Sequence, residues 1–247
     1  VLPIEIRIPI KDYLAVYGFS LESNTPDEQA IRSRKAATEA LRDLAITSDK
    51  SIGKLNGSFP DKLERASFPL ETSALDAAML DRLVPAFEQC GIAKRGRNGG
   101  LLVESMEKAK YLRGFWFEEY VFMAAKGTGA DEVLLNVEGK WDVTGSNPPK
   151  NEFDVMMAKG NRLFFVSCKT SNPDRVEGNE AIGKDDLYEL DSLGDQVLGL
   201  FGKKMLASAR PVTNTYLKQR AKSMNIRILD RNDLANLKGK IQEWLSV

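Results

Sequence analysis

Asn151-Glu152-Phe153-Asp154-Val155 is followed, after a short turn, by Phe164-Phe165-Val166-Ser167-Cys168-Lys169-Thr170. The turn is Lys159-Gly160-Asn161, set between two apolar runs. Gly and Asn both tolerate positive φ, so the stretch reads as a β-hairpin. Side chains alternate along a strand. Ser167 and Lys169 therefore share one face, Val166 and Cys168 the other, and Glu152 shares a face with Asp154. Asp154 and Lys169, fifteen positions apart, fall on neighbouring strands. A buried strand face carrying a lysine beside an aspartate is costly unless the charges bind something. A divalent metal together with a phosphate fits that pair. The plain alternative is a solvated hairpin with scattered charges, and the pair alone does not choose between them.

Composition excludes several chemistries. The chain has 247 residues, 43% hydrophobic and 28% charged, with 35 basic and 35 acidic side chains and no histidine. Catalytic triads, zinc sites and general bases built on histidine are ruled out. Any catalysis must run on carboxylates, lysine and a metal. The two cysteines, Cys90 and Cys168, form no CxxC pair, so neither a zinc site nor a disulfide framework is expected. A reducing cytoplasm is the simpler location. No apolar run approaches the ~20 residues of a membrane helix, and no signal peptide is visible. The chain opens at Val1 in a strand-like run, which reads as a fragment lacking an N-terminal portion.

From the N-terminus, Ile4, Ile6, Ile8 and Ile10 alternate with polar residues as an edge strand or extended linker. Residues 11–20 read as a short helix ending at Gly18. Thr25-Pro26-Asp27-Glu28 reads as the start of a helix running to about Ile46. Residues 50–74 read as a connector. Ser73 is expected to cap a helix with Leu75, Met79, Leu80, Leu83 and Phe87 on one stripe, ending near Gly91. Lys94-Arg95-Gly96-Arg97-Asn98-Gly99-Gly100 and Leu101-Leu102-Val103 then resemble half a winged helix. The basic turn is either a nucleic-acid wing or, by preference, a solvated hairpin tip.

A boundary falls near Ser105, dividing a segment 1–105 from a domain 106–247. Residues 106–126 read as a helix with Leu112, Phe115, Trp116, Tyr120 and Met123 on an apolar stripe and Glu118 and Glu119 in its middle. Gly114 costs such a helix about 1 kcal/mol, which suggests close packing there. Val133, Leu135 and Val137 form a strand. Residues 139–150, with Asn147-Pro148-Pro149, read as a polar loop before the hairpin. After it come a polar loop over 171–184 containing Gly178 and Gly183, a helix opened by Asp185 or Asp186, a strand over Met205–Ser208, a helix over Thr213–Met224, a strand over Ile226–Leu229 and a last helix capped by Asp230. The order is α-β-β-β-α-β-α-β-α, a mixed sheet flanked by helices.

Charge is segregated along this order. From Asp131 to Asp195 there are 14 acids and 7 bases; from Gly202 to Gln242 there are 10 bases, including Lys203, Lys204, Arg210, Lys218 and Arg220, and 2 acids. An acidic centre beside a basic flank suits a metal-dependent enzyme acting on a polyanion. Solvated basic helix faces are the alternative.

The element order resembles the PD-(D/E)XK nuclease superfamily. More closely, Gly114-Phe115-Trp116-Phe117-Glu118-Glu119-Tyr120-Val121, the Asp154 strand, Ser167-Cys168-Lys169-Thr170 and Asp186-Leu187-Tyr188-Glu189-Leu190-Asp191-Ser192-Leu193 resemble the nuclease portion of CARF-domain CRISPR-associated ancillary nucleases. The resemblance implies a restriction-endonuclease-like α/β fold, preceded by a mainly helical, winged-helix-like segment. It implies a metal-dependent endonuclease cutting DNA, RNA or both in antiviral defence, activated by cyclic oligoadenylate through an N-terminal sensor domain missing from this chain.

Carried over by position, Asp154 is the main metal ligand, Lys169 the catalytic lysine and Glu118 the helix carboxylate. The main-chain carbonyl of Cys168 is a further ligand, and Mg or Mn is the implied metal. The family's acid two residues before the lysine is replaced by Ser167, so Glu152, or second Glu119, must supply the missing charge. If neither does, the domain is slow or prefers Mn. The competing expectation is a binding or assembly module that kept the fold and lost the chemistry. Duplex cleavage needs two sites, so a homodimer is expected.

Overall fold

The computed structural model describes residues 7–23, 28–143, 148–177 and 180–246. The strand expected from Ile4 and Ile6, the helix start at Thr25-Pro26-Asp27, Asn147 and Gly178 lie outside the described residues.

The chain begins with α1 (Ile10–Val16), which Gly18 at φ 74° turns into β1 (Phe19–Ser23). The helix stops at Gly18 as expected, but Ile10, read as extended, opens it, and residues 19–20 do not belong to it. Phe19 and Leu21 are instead a short strand that pairs antiparallel with a strand more than a hundred residues later, Phe19 opposite Trp141. Helices α2 (Glu28–Ser33) and α3 (Lys35–Thr47) break at Arg34. The expected connector contains α4 (Asp49–Gly57), whose Ile52 and Leu55 are fully buried. Two apolar residues at i, i+3 among Ser, Gly and Lys are too sparse a stripe to show a helix before its packing is known. The strand β2 (Leu70–Glu71) follows, then α5 (Ala77–Gln89). That helix starts after Asp76 rather than Ser73, whose N–H is bonded to Ser58 instead. Strands β3 (Lys94–Arg95) and β4 (Leu101–Val103) complete a small antiparallel sheet in the order β2-β4-β3. Gly100 has no room for a Cβ against the Thr72 carbonyl, and Lys94 and Arg95 are paired with Glu104 and Asp81.

The second half opens with α6 (Met106–Lys110), capped by Ser105, which accepts the Lys108 N–H at 3.3 Å. It passes through one π-helical turn, Tyr111–Phe115, into α7 (Trp116–Lys126). Then come β5 (Glu132–Trp141), β6 (Lys150–Lys159) and β7 (Arg162–Lys169). Gly160 and Asn161, at φ 55° and 56°, make the two-residue turn between the last two, the primed turn that matches strand twist. A ribbon of β8 (Val176–Glu177) and β9 (Glu180–Ala181) leads to α8 (Gly183–Val197), β10 (Lys203–Ser208), α9 (Thr215–Ser223), β11 (Ile226–Leu229), a 3-10 stretch over Arg231–Asn236 and α10 (Leu237–Ser246).

Six strands form one sheet in the order β1-β5-β6-β7-β10-β11. The pairs from β1 to β7 are antiparallel, and β7, β10 and β11 are parallel. One core layer joins Val155, Met157, Phe164 and Val166 to α3, α5, α7 and α10. The other joins Phe153, Met156 and Phe165 to α1, α8 and α9. Each fully buried Leu or Phe contributes about 1.5–3 kcal/mol, so the sheet is held firmly between helices and its ends are free to carry chemistry.

Candidate active site

The hairpin strands part where the acids begin. The β6–β7 ladder runs from Lys159 opposite Arg162 to Val155 opposite Val166. One step further, the Asp154 carboxylate replaces a backbone acceptor: its Oδ2 takes the Cys168 N–H at 2.6 Å and lies 3.3 Å from the Ser167 hydroxyl, which donates to it. In a strand the N–H and C=O of one residue share an edge. The Cys168 carbonyl therefore faces the same gap, while the Lys169 carbonyl points the other way and accepts the Ala209 N–H at 2.9 Å.

The alternation of side chains slips at this level. Leu135 and Val137 pack into opposite layers although they are two residues apart, because Asn136 between them has φ 51°. Phe153 and Val155, their partners on β6, do the same around Asp154.

Helix α7 brings Glu118 to the gap. Its approach is fixed by Thr170, whose hydroxyl donates to the Arg113 carbonyl in the π turn at 3.0 Å; a Cβ on Gly114 would stand 3.4 Å from that hydroxyl. The residue after Lys169 is thus tied to the turn just before Glu118. Burial, then the neighbouring Asp154 and Glu152, push the Glu118 carboxyl up to about 9. Burial raises Asp154 as well, against the opposing pull of the Cys168 N–H, Lys169 and Ser167. Lys169 reaches the site from the end of β7 and lies 3.2 Å from Asp186 and 3.7 Å from Glu189 on α8. Burial alone would lower its ammonium, but Asp186, Asp154 and Glu189 outweigh it and keep the lysine charged. A cleft of about 550 Å³ opens beside Glu118, walled by Asn136, Glu152, Lys110 and Arg113, with Leu63 contributed from the N-terminal half.

Residues 105–247 match the family of Card1-like endonuclease domains. The chain belongs to that family. No curated protein matches it in sequence. Among solved structures it is similar to protein VC1899 from Vibrio cholerae, with a TM-score of 0.76 at 24% identity over 98% of this chain and 63% of that one. It is also similar to Can2 from Sulfobacillus thermosulfidooxidans, solved in complex with cyclic tetra-adenylate, with a TM-score of 0.70 at 20% identity over 97% of this chain and 62% of that one. The likeness is one of fold, a restriction-endonuclease-like mixed sheet with a helical segment before it, and the chain spans under two thirds of either structure.

Within this Card1-like domain Asp154, Ser167, Cys168, Lys169 and Glu118 come together, with Glu152 exposed at the rim. Glu119 does not join them. It is fully buried one position round the helix and gripped by Arg34, whose Nε lies 2.7 and 3.0 Å from its two oxygens and whose Nη2 adds a third contact.

The basic residues also separate. Lys204 is buried at the far end of β10 from Lys169 and is held by Asp191 at 2.5 Å and Asp195 at 2.6 Å. Arg210 packs over Gly53 of α4. Lys203 is half-buried, and burial, then Arg162 and Arg227, lower its ammonium. Lys218 is exposed, and Arg220 lies 5.1 Å from the Tyr188 ring centre and donates to its hydroxyl.

Three contributors were missed from the sequence. Asp186 and Glu189 stand in a stretch that carries the family resemblance, and their i, i+3 spacing puts both on one helix face. Asn136, in a strand, gave no signal.

Among the described residues no three His, Cys, Asp or Glu side chains stand as a ready-made metal cage. The donor set nevertheless fits a hard divalent cation. Glu118 and Asp154 are neighbouring carboxylates whose charges are mutually unfavourable without one, and a strand carbonyl faces the same gap. Asp154, Glu118 and the Cys168 carbonyl would hold it.

Proposed function

We propose that this chain is the catalytic portion of a metal-dependent endonuclease that hydrolyses phosphodiester bonds in DNA, RNA or both. The convergence of Glu118, Asp154 and Lys169 at the splayed end of β6 and β7 carries the reading. A bound Mg or Mn supplies a polarised phosphoryl oxygen and a water of lowered pKa. The chain's own residues do the rest. Asp154, fixed by the Cys168 N–H, holds its carboxylate at the gap. Lys169, kept charged by its acidic neighbours, donates to a phosphoryl oxygen and stabilises the charge that develops there. Glu152 at the rim is the acid available to compensate for Ser167 on the metal's side of the site. Lys203, Lys218 and Arg220 lie on the basic flank that would meet the backbone of the substrate.

Can2 binds cyclic tetra-adenylate, and a cyclic oligoadenylate is the activator that we assign to the protein acting through this domain, in antiviral CRISPR defence in the cytoplasm. A homodimer would place two centres against a duplex. No helix among the described residues is long and apolar enough to cross a membrane. The neutral Ser167 favours a second reading, a nucleic-acid-binding or assembly module on the same fold. Supercoiled plasmid and single-stranded RNA, each incubated with Mg or Mn, test the choice: cutting that disappears in Asp154→Asn supports the enzyme. Binding without cutting under every condition supports the module.

A further inference from the structure

The loop after β7 and the start of α8 are locked together. Gly183 donates its N–H to the Pro173 carbonyl at 3.0 Å, and a Cβ there would collide with Pro173 and crowd Leu217. This fixes the helix phase, so that Leu187 and Leu190 enter the core while Asp186 and Glu189 face Lys169. The two acids differ. The Asp186 side chain is 15% exposed and the Glu189 side chain 62%. Asp186 turns Oδ1 to Lys169, and its other oxygen, Oδ2, is buried without a hydrogen-bond partner. An orphaned carboxylate oxygen on an acid that faces a lysine is held there against its own desolvation.

Among the described residues Asp186 and Glu189 are the acids ion-paired with Lys169. Ser167 is neutral, Glu119 belongs to Arg34, and Glu152 interacts with Asp154, Glu138 and Lys110 rather than with Lys169. A lysine on four flexible carbons needs a fixed counter-charge to keep one direction.

We propose that Asp186 is the positioning residue of Lys169: it holds the ammonium towards Asp154 and supplies, from a helix, the negative charge that position 167 lacks. Glu189 is the outer, exposed member of the clamp and contributes less. The inference rests on the nuclease reading for its catalytic meaning, but the contact itself can be tested without cleavage.

Three measurements decide it. In metal-free protein, amine acetylation of Lys169, followed by mass spectrometry at one pH, should rise on the order of tenfold in Asp186→Asn, because the flexible side chain is released from its contact with the helix and becomes open to the reagent. Asp185→Asn, an exposed neighbour, should leave the rate unchanged. In cleavage assays Asp186→Asn should lower kcat at least tenfold with KM within twofold. Ser167→Glu should restore a large part of that loss when combined with Asp186→Asn. Wild-type labelling in Asp186→Asn would overturn the proposal, as would an absence of rescue by Ser167→Glu in a folded double variant. A wild-type protein that cuts nothing would sink the nuclease reading alone, and the labelling comparison would still decide whether Asp186 holds the lysine.

Discussion

Arg34 and Glu119 form a closed ion pair across the two halves of the chain, with the Glu119 side chain at zero exposure and that of Arg34 at 14%. Arg34 sits in the break between α2 and α3, and its guanidinium also lies 5.5 Å from the Tyr111 ring centre, while Thr38 and Tyr111 share a hydrogen bond of 2.8 Å. The N-terminal helices therefore grip the helix that carries Glu118 at two buried points.

Breaking that pair from one side leaves a buried charge without compensation. Arg34→Ala should destabilise the protein by about 3–5 kcal/mol, whereas a double replacement of Arg34 and Glu119 by Met and Leu should cost far less. Urea denaturation of the three proteins measures both. Equal losses in the single and double variants would show that packing, not charge, dominates.

Asp154→Asn keeps the size of the side chain and an acceptor for the Cys168 N–H, so the fold should survive with a melting temperature within a few degrees of wild type. Cleavage should fall by at least two orders of magnitude. Residual cutting at the wild-type rate would assign any activity to another part of the molecule.

Glu118 gives the pH dependence. Its carboxyl is pushed up to about 9 in the folded protein by burial, then by Asp154 and Glu152, against about 4.3 in an unfolded chain. Because the folded value is raised, the stability that it contributes is complete below the unfolded value and is lost as pH rises through the folded one. Metal-free protein should therefore melt at progressively lower temperature from about pH 4.3 towards pH 9, and Glu118→Gln should flatten that slope. A divalent cation needs the ionised form, so affinity should rise with pH and binding should release a proton. Calorimetry in two buffers of different ionisation enthalpy reads the proton directly.

The basic flank should split into two groups. Lys204→Ala should lower stability by about 1–3 kcal/mol, since two acids lose their partner, yet leave nucleic-acid affinity nearly unchanged. Lys218→Gln should do the reverse and reduce the slope of log affinity against log salt by about 0.9 on duplex DNA. Fluorescence anisotropy across a salt series compares them; a fall in the slope for Lys204→Ala would place it on the binding surface after all.

Local signals were readable in the sequence because they act over a few residues. Gly160-Asn161 made its turn, Gly91 at φ 64° ended a helix, and Asp230 capped the segment over Arg231–Asn236 with Asp233 returning the bond. What escaped depends on distant partners. Phe19 is a strand residue only because Trp141 and Phe153 wait for its ring at 5.2 and 5.3 Å. Asp186 meets Lys169 only because α8 folds back over β7. Strict alternation on β6 was a fair expectation, but it could not show the slip at Asp154, whose visible cause, the left-handed Asn136, lies on the next strand.

The π turn at Tyr111–Phe115 works as a phase setting. A helix advances about 100° per residue, and one residue more or less in that turn rotates everything after it by that amount. Adjacent acids on α7 are thus alternatives for a single direction. With the turn as it stands, Glu118 looks at the gap and Glu119 at Arg34. A one-residue deletion within Tyr111–Phe115 that leaves α6 in place would hand Glu119 the direction that Glu118 now has. It would turn Tyr120, which carries no charge, towards Arg34 in place of the carboxylate, so the length of this turn, as much as the identity of either glutamate, selects which acid the centre contains.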